Sequence, residues 1–543
     1  MSLRRPFTFP SLAVGAPVGA KPGERYVFGD SVASVSRRRV VPIVLLVLAA
    51  VIALPAVVGL IGSGSGLRAE RIDVDGVPVT VIRPDPVPAN APAAVVVHGF
   101  AASSVIMEPI GRALARVGYI VALPDVSGHG ANPSSLSMDD TVRDELQGDV
   151  AAVLGWLADQ PEVDPQRLAL VGHSMGAGAV TRFAIDNPDA VRATVSISLP
   201  SPIDPLNTPR NLLLLYGSAE PAGFANAAHE QLELIRPGAQ VGVTYGELPQ
   251  GTALSAEVID GVEHISIVWA PATAQMMLTW IGGAVDAPTS PVDLDPAWLW
   301  LILLLIAGCL AAIPLARLLY GGDSQPPEAR VAGWVAMVVT VVAAVAASVT
   351  AAVLGSFADA VIPLAVGGYL AVWFAAAAAT IAIAMVWVRR YRRRSYGSFE
   401  MRPLVAGLGM TSYAVVVLIV SARLTWASTA FVGPRWWIWI VLSLVLLGYF
   451  YADAVIVSRR SWAARLGVMA VNRLVVTLGL LASVVFFDAP SILTLLLPFM
   501  VLLFIILGYF AVVVSTRTSG RFGPALVQAV PLAAVVATGF PLT

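Results

Sequence analysis

Cysteine is nearly absent from this chain. Cys309 stands alone among 543 residues, so no intrachain disulfide can form. Charge is scarce too: Asp, Glu, Lys and Arg make up 13% of the residues, about half the share in soluble domains. Acidic and basic groups nearly cancel, to a net charge of −1, which leaves no basic footprint for nucleic acid. Lysine is rare beside abundant Ala, Val and Arg, a bias associated with GC-rich bacterial genomes. There are five histidines and no metal-ligand cluster, P-loop or dinucleotide fingerprint, so no cofactor and no metal are expected.

What is abundant is apolar. Hydrophobic residues reach 57% of the chain and mean hydropathy is +0.77, values of a polytopic membrane protein. Residues 1–39 are rich in Pro, Gly, Ser and Arg without hydrophobic period and read as a disordered cytoplasmic tail ending in Arg37–Arg39. The apolar run 40–61 follows. At about 20 residues it can span a bilayer, and it exceeds the roughly 7–15 residues of a signal-peptide core, so it reads as an uncleaved anchor. Gly62-Ser-Gly-Ser-Gly66 reads as a linker.

Charges return between residues 68 and 285, where short β-branched runs alternate with helical patterns. Asp75-Gly76 between two apolar runs signals a hairpin. Strands are expected at 93–97, 119–123, 167–171, 193–199 and 211–216, with helices at 106–117 and 139–159. This alternation predicts one domain with a mostly parallel sheet and helices on both faces.

From 296 to 543 the chain is membrane-like again. Candidate spans are 298–319, 331–354, 361–388, 404–420, 437–457, 468–487 and 492–514, with a marginal, Pro-interrupted run at 525–540. With the anchor these make about nine spans of an all-α transmembrane domain. Arg37–Arg39, the Arg389–Arg394 loop, Arg459/Arg460/Arg465 and Arg517/Arg521 fall on one side under alternation. Connections such as Phe357–Ala360 and Asp488–Pro490 fall on the other. The positive-inside rule then puts the N-terminus in the cytoplasm, the 68–285 domain outside it, and the protein in a bacterial plasma membrane as a multi-pass species. Ionisable residues within the spans are few. Asp453 can reach the interface near Arg459, Asn472 and Arg473 lie near a cytoplasmic end, and Arg423 and Arg435 belong to an external connection. Each reads as an interfacial anchor or helix-packing group.

One pentapeptide carries chemistry. Gly172-His-Ser-Met-Gly176 reads G-x-S-x-G between an apolar strand, residues 167–171, and a small-residue helix. Such a turn lifts a serine Oγ clear of a sheet edge, and glycines are needed where a Cβ would strike the adjoining strand and helix. Ser174 is therefore the candidate nucleophile. Around it come Val97-His98-Gly99-Phe100, then Asp125-Val-Ser-Gly128-His129-Gly130, then Tyr216-Gly-Ser-Ala-Glu220, then Glu263-His264. In this order the segments resemble the α/β-hydrolase superfamily of serine hydrolases over residues 70–285.

The resemblance implies the chain order serine, acid, histidine. Only His229 and His264 follow Ser174. His264 lies in a loop before an apolar helix and is the candidate base, while His229 sits in a polar helical stretch and reads as a surface residue. Glu220, just beyond a strand, is the candidate acid, with Asp260 its main rival and Glu247, Glu257 and Glu263 further competitors. The oxyanion-hole amides implied are those of Met175 and Phe100. Asp125, His129 and Gly130 would shape the loop after the fourth strand, and no catalytic role is assigned to His129.

The 200–210 connection is too short for the helical cap of many lipases. A missing apolar wall would then come from the membrane surface or the transmembrane domain. The leading expectation is a serine esterase or lipase acting on a lipid or acylated envelope substrate. An acyltransferase using the same triad, and a transporter or scaffold with the domain as a binding module, remain open. Sequence leaves oligomeric state undetermined.

Overall fold

The computed structural model describes residues 29–543 apart from 140, 206, 288, 290–295, 322–331, 393–400, 423–430, 458–460 and 519. Most of the expected cytoplasmic tail, and Arg393, Arg394, Arg423, Arg459 and Arg460 of the connections, lie outside these residues. Helix α1 (Gly29–Ser63) runs through Arg37–Arg39, into the stretch read as tail, and its apolar part is Val40–Ser63. No proline or internal glycine interrupts residues 30–39, and arginine is a good helix former, so the helix continues past its apolar run.

Eight strands follow: β1 (Leu67–Val74), β2 (Val77–Pro84), β3 (Ala91–Val97), β4 (Ile120–Pro124), β5 (Val163–His173), β6 (Ala193–Ile197), β7 (Leu212–Gly217) and β8 (Leu254–Ile259). They form one sheet in the order β1-β2-β4-β3-β5-β6-β7-β8. The β1–β2 hairpin turns at Asp75-Gly76, where both residues have positive φ (52° and 88°), as a type I′ turn demands. β2 is antiparallel to β4, and from β4 across to β8 every pairing is parallel.

The crossovers carry α2 (Ser104–Arg116), α3 (Val142–Ala158), α4 (Met175–Asp186), α5 (Ala222–Ile235) and α6 (Pro271–Val285). Side-chain alternation along β4 shows the two covered faces. Val121 and Leu123 pack with Ile106, Leu114 and Ile281 of α2 and α6, whereas Ile120 and Ala122 pack with Leu157 and Val180 of α3 and α4. Strands buried on both faces read as unbroken apolar runs, which is why Ala91–Val97 is buried throughout. No helix lies between β6 and β7 among the described residues, in keeping with the expected absence of a cap. This is the α/β-hydrolase sheet that the sequence resemblance implied.

The rest of the chain is helical: α7 (Ala297–Tyr320), α8 (Gly333–Val361), α9 (Gly367–Arg392), α10 (Met401–Ala422), α11 (Arg435–Val457), α12 (Trp462–Phe486), α13 (Ile492–Ser515) and α14 (Phe522–Gly539). Among the described residues eight helices, α1 included, are long and apolar enough to cross a membrane, and α10 holds a shorter apolar segment, Leu404–Ile419. The protein is accordingly multi-pass.

The marginal run at 525–540 is α14, and 83% of its span is buried against 11% for α1. It packs between α10, α11 and α13. A helix sheathed by protein needs less hydropathy than one facing lipid, which explains its weak signal.

Further expectations change in this region. The connection at Phe357–Ala360 is helical, because α8 continues to Val361 and the chain reverses over residues 362–366. Pro363 cannot continue the helix. Gly368 lets α9 close on α8, since a Cβ there would stand 2.2 Å from the carbonyl carbon of Ala358.

Asp453 does not reach an interface. It is buried, with Oδ2 accepting from Arg473 Nη2 (2.8 Å) and Oδ1 from Asn472 Nδ2 (2.8 Å). Arg473 also donates to Gln528 Oε1 (2.9 Å), and Thr340 donates to Asn472 Oδ1 (3.1 Å). Of the two roles expected for these groups the structure gives helix packing, tying together α8, α11, α12 and α14.

Candidate active site

β5 ends at His173 and α4 begins at Met175, so Ser174 alone makes the turn, at φ 54° and ψ −117°. A non-glycine residue held there stores about 1–3 kcal/mol of strain. The surroundings over-determine it. Ser174 N donates to Ile197 O of β6 at 2.8 Å. A Cβ on Gly172 would stand 2.2 Å from Gly176 O, and one on Gly176 would stand 2.4 Å from Val97 O. The G-x-S-x-G pattern is thus a steric requirement of strand and helix meeting at this turn.

The structure brings Ser174, His264 and Glu220 together. His264 Nε2 lies 3.0 Å from Ser174 Oγ, and its Nδ1 lies 2.6 Å from Glu220 Oε1. The other Glu220 oxygen accepts from Gly217 N (2.7 Å), and the Glu220 side chain is only 1% exposed, so the carboxylate is fixed from both sides. The histidine comes from the loop between β8 and α6. That loop descends onto the end of β7 because residue 217 is glycine: a Cβ would meet Val262 O at 2.4 Å. Ser174 is half-buried.

The rival carboxylates go elsewhere. Glu263 accepts from the amides of Ile265 (2.9 Å) and Ser266 (2.7 Å), Glu257 from Ser255 Oγ (2.7 Å), and Glu247 from Gln250 (2.7 Å). Asp260 is not the group on His264 Nδ1, since Glu220 occupies it. His229 is exposed, with Nε2 at 2.7 Å from the Tyr216 hydroxyl.

Met175 opens α4, where helix amides lack intrahelical acceptors and carry the positive end of the dipole. Phe100 follows Gly99, whose Cβ position is 3.0 Å from Ser174 Cβ, so the loop after β3 runs directly beside the elbow. His98 and His129 are buried around that loop, with the His129 ring edge-on to Phe100 at 5.6 Å and to His98 at 5.1 Å. Burial lowers both imidazole pKa values below 6.5, although Asp125 partly opposes the shift for His98.

Two neighbours of the triad escaped sequence reasoning. His173 Nε2 donates to His264 O (2.8 Å) and its ring lies 4.8 Å from the His264 ring. Burial, and then the charge on His264, push the His173 pKa down to about 3, so it stays a neutral prop. The second is Phe224 of α5, stacked on His264 at 4.2 Å and 27°. His173 adjoins the candidate nucleophile and could have been flagged on that ground. Nothing local marks Phe224. Among the described residues no group of three or more His, Cys, Asp or Glu side chains could hold a metal.

Residues 92–249 match the family model described as the alpha/beta hydrolase fold. A Mycobacterium tuberculosis protein of uncharacterized role is 34% identical over 101 residues, covering 19% of this chain and 34% of its own. A thermostable monoacylglycerol lipase from a Bacillus species is 33% identical over 101 residues, 18% of this chain and 38% of its own. The chain thus spans about a third of the length of the curated relatives it matches. Among solved structures, a dienelactone hydrolase from Anabaena variabilis is 16% identical, aligned over 40% of this chain and 97% of its own, with a TM-score of 0.30.

Proposed function

We propose that this chain is a membrane-embedded serine hydrolase that cleaves an ester bond of a lipid or acylated envelope component. The observation that carries the reading is the linked Ser174–His264–Glu220 geometry at a strained elbow. In the first half-reaction Ser174 Oγ attacks the ester carbonyl while His264 Nε2 takes its proton. Glu220 holds the imidazole with Nε2 free to accept and stabilises the imidazolium that forms. The Met175 and Phe100 amides face the carbonyl oxygen as it gains charge. The same proton then leaves with the alcohol. In the second half, water adds to the acyl-enzyme with His264 again as base, and the acid is released.

Two observations favour an apolar substrate. Among the described residues no cap helix lies between β6 and β7, and Phe100 packs against the membrane-domain cluster as well as its own core. A monoacylglycerol lipase among the similar proteins is consistent with that class. Under alternation of the spans the arginine-rich connections fall on the side opposite the hydrolase domain, so the positive-inside rule favours a domain outside the cytoplasm.

The test is a series of acyl esters of increasing chain length, given to the full chain in lipid nanodiscs. Rising kcat/KM with chain length, abolished by Ser174→Ala, supports the reading. Equal efficiency on short soluble esters would contradict the lipid assignment, and an acyl product on an added alcohol would make the protein a transferase.

A further inference from the structure

Arg435 is the first residue of α11 and is fully buried, although the sequence places it in an external connection. No carboxylate pairs with it among the described residues. Its guanidinium instead donates to three carbonyls: Ala537 (2.5 Å) and Phe540 (2.8 Å) at the end of α14, and Gly128 (2.6 Å) in the loop after β4. One side chain therefore bolts the membrane region to the sheet domain. The segment after α14 repeats the link. Leu542 N donates to Gly128 O (2.8 Å), Leu136 N donates to Leu542 O (2.8 Å), and Pro541 O accepts from Ala365 N in the α8–α9 turn (2.9 Å).

A buried cation with no carboxylate in contact, Asp125 acting on it only from a distance, is costly, and apolar packing would join the two bodies with less penalty. What arginine adds is a rigid fork of donors that fixes its carbonyls relative to one another. From Gly128 the contacts lead to the oxyanion side of the site. His129, the next residue, lies edge-on to Phe100 at 5.6 Å. Asp125 accepts from Ser104 N (2.7 Å) and Ala131 N (2.8 Å), fastening the β4 loop to the start of α2. Ala101 belongs to the same apolar cluster as Leu364, Phe540 and Leu542, and Phe100 packs against it.

We propose that Arg435 is a positioning residue for the Phe100 side of the oxyanion hole, so that the membrane region completes the hydrolase site. This rests on the hydrolase reading above. The test uses the full chain in nanodiscs, titrated to completion with a fluorophosphonate so that kcat is expressed per reactive serine. Arg435→Gln, Arg435→Lys and Gly128→Ala are compared with wild type. Gly128→Ala is an independent route to the same contact, since a Cβ there would stand 2.8 Å from Leu542 O and 2.7 Å from Leu136 Cβ.

An oxyanion donor acts in the transition state only. Per-serine kcat should therefore fall roughly tenfold to a hundredfold in Arg435→Gln and Gly128→Ala, with KM and the pH profile unchanged. Arg435→Lys should lose less. Where Arg435→Gln does not fold, the other two variants give the same readout. Fewer reactive serines, each turning over at the wild-type rate, would make Arg435 purely structural and overturn the proposal. Wild-type turnover in Ser174→Ala would instead overturn the hydrolase reading.

Discussion

Two buried polar networks sit in this chain, and they differ in what they leave open. At the elbow, Glu220 and His264 are enclosed, but the serine they serve is half-buried and held at φ 54°. Between α8, α11, α12 and α14, both Asp453 oxygens are engaged by side chains of α12. The Arg473 guanidinium there lies over the rings of Phe450 (4.9 Å) and Phe504 (5.5 Å). The first network stores strain and ends on a hydroxyl of a half-buried serine, paired among the described residues only with His264, while in the second both carboxylate oxygens are taken up between helices. On the proposed function, chemistry belongs to the first network and scaffolding to the second.

That contrast can be broken by substitution. Glu220→Gln should lower kcat by roughly 10⁴-fold with little loss of stability, because His264 loses its orienting carboxylate while the shape is kept. Steady-state kinetics per titrated serine checks this, and a near-wild-type rate would return the acid role to a rival such as Asp260. Asp453→Ala should do the reverse. It strands Arg473 and should cost about 3–5 kcal/mol of stability, with per-serine kcat unchanged. Thermal unfolding in nanodiscs beside kinetics separates the two effects, and a kcat loss without destabilisation would contradict a scaffolding role.

A smaller effect concerns pH. His98, His129 and His173 have folded-state pKa values below 6.5 because burial disfavours the imidazolium. The unfolded chain therefore binds more protons than the folded one. The contribution of these residues is complete above pH 6.5 and is lost as pH falls, down to about 3 for His173. Unfolding free energy measured across that window should drop with acidity. Replacing His173 by Gln should flatten the slope by up to one proton, and an unchanged slope would mean that His173 is already charged in the fold.

Much of this is legible in the sequence. The elbow, the strand runs and the order of the five motif segments are local patterns, imposed by sterics at a few consecutive residues. Glu220 and His264 could be chosen because chain order narrows the field. Harder to read was whatever depends on packing between distant segments. Phe224 and Arg435 carry no local mark, and their roles exist only once α5 lies over His264 and α11 meets Gly128. Asp453 looked interfacial because its partners Asn472 and Arg473 stand on another helix. The run at 525–540 looked marginal because hydropathy measures exposure to lipid, whereas α14 is surrounded by protein.

The central claim is that Ser174 is a nucleophile activated by His264. Its most direct test is fluorophosphonate labelling of wild type, Ser174→Ala and His264→Ala in intact cells, with the labelled peptide identified by mass spectrometry. The prediction is a single adduct on Ser174 in wild type, none in Ser174→Ala, and a rate reduced by orders of magnitude in His264→Ala. Equal labelling of wild type and Ser174→Ala, or an adduct on another residue, would contradict it.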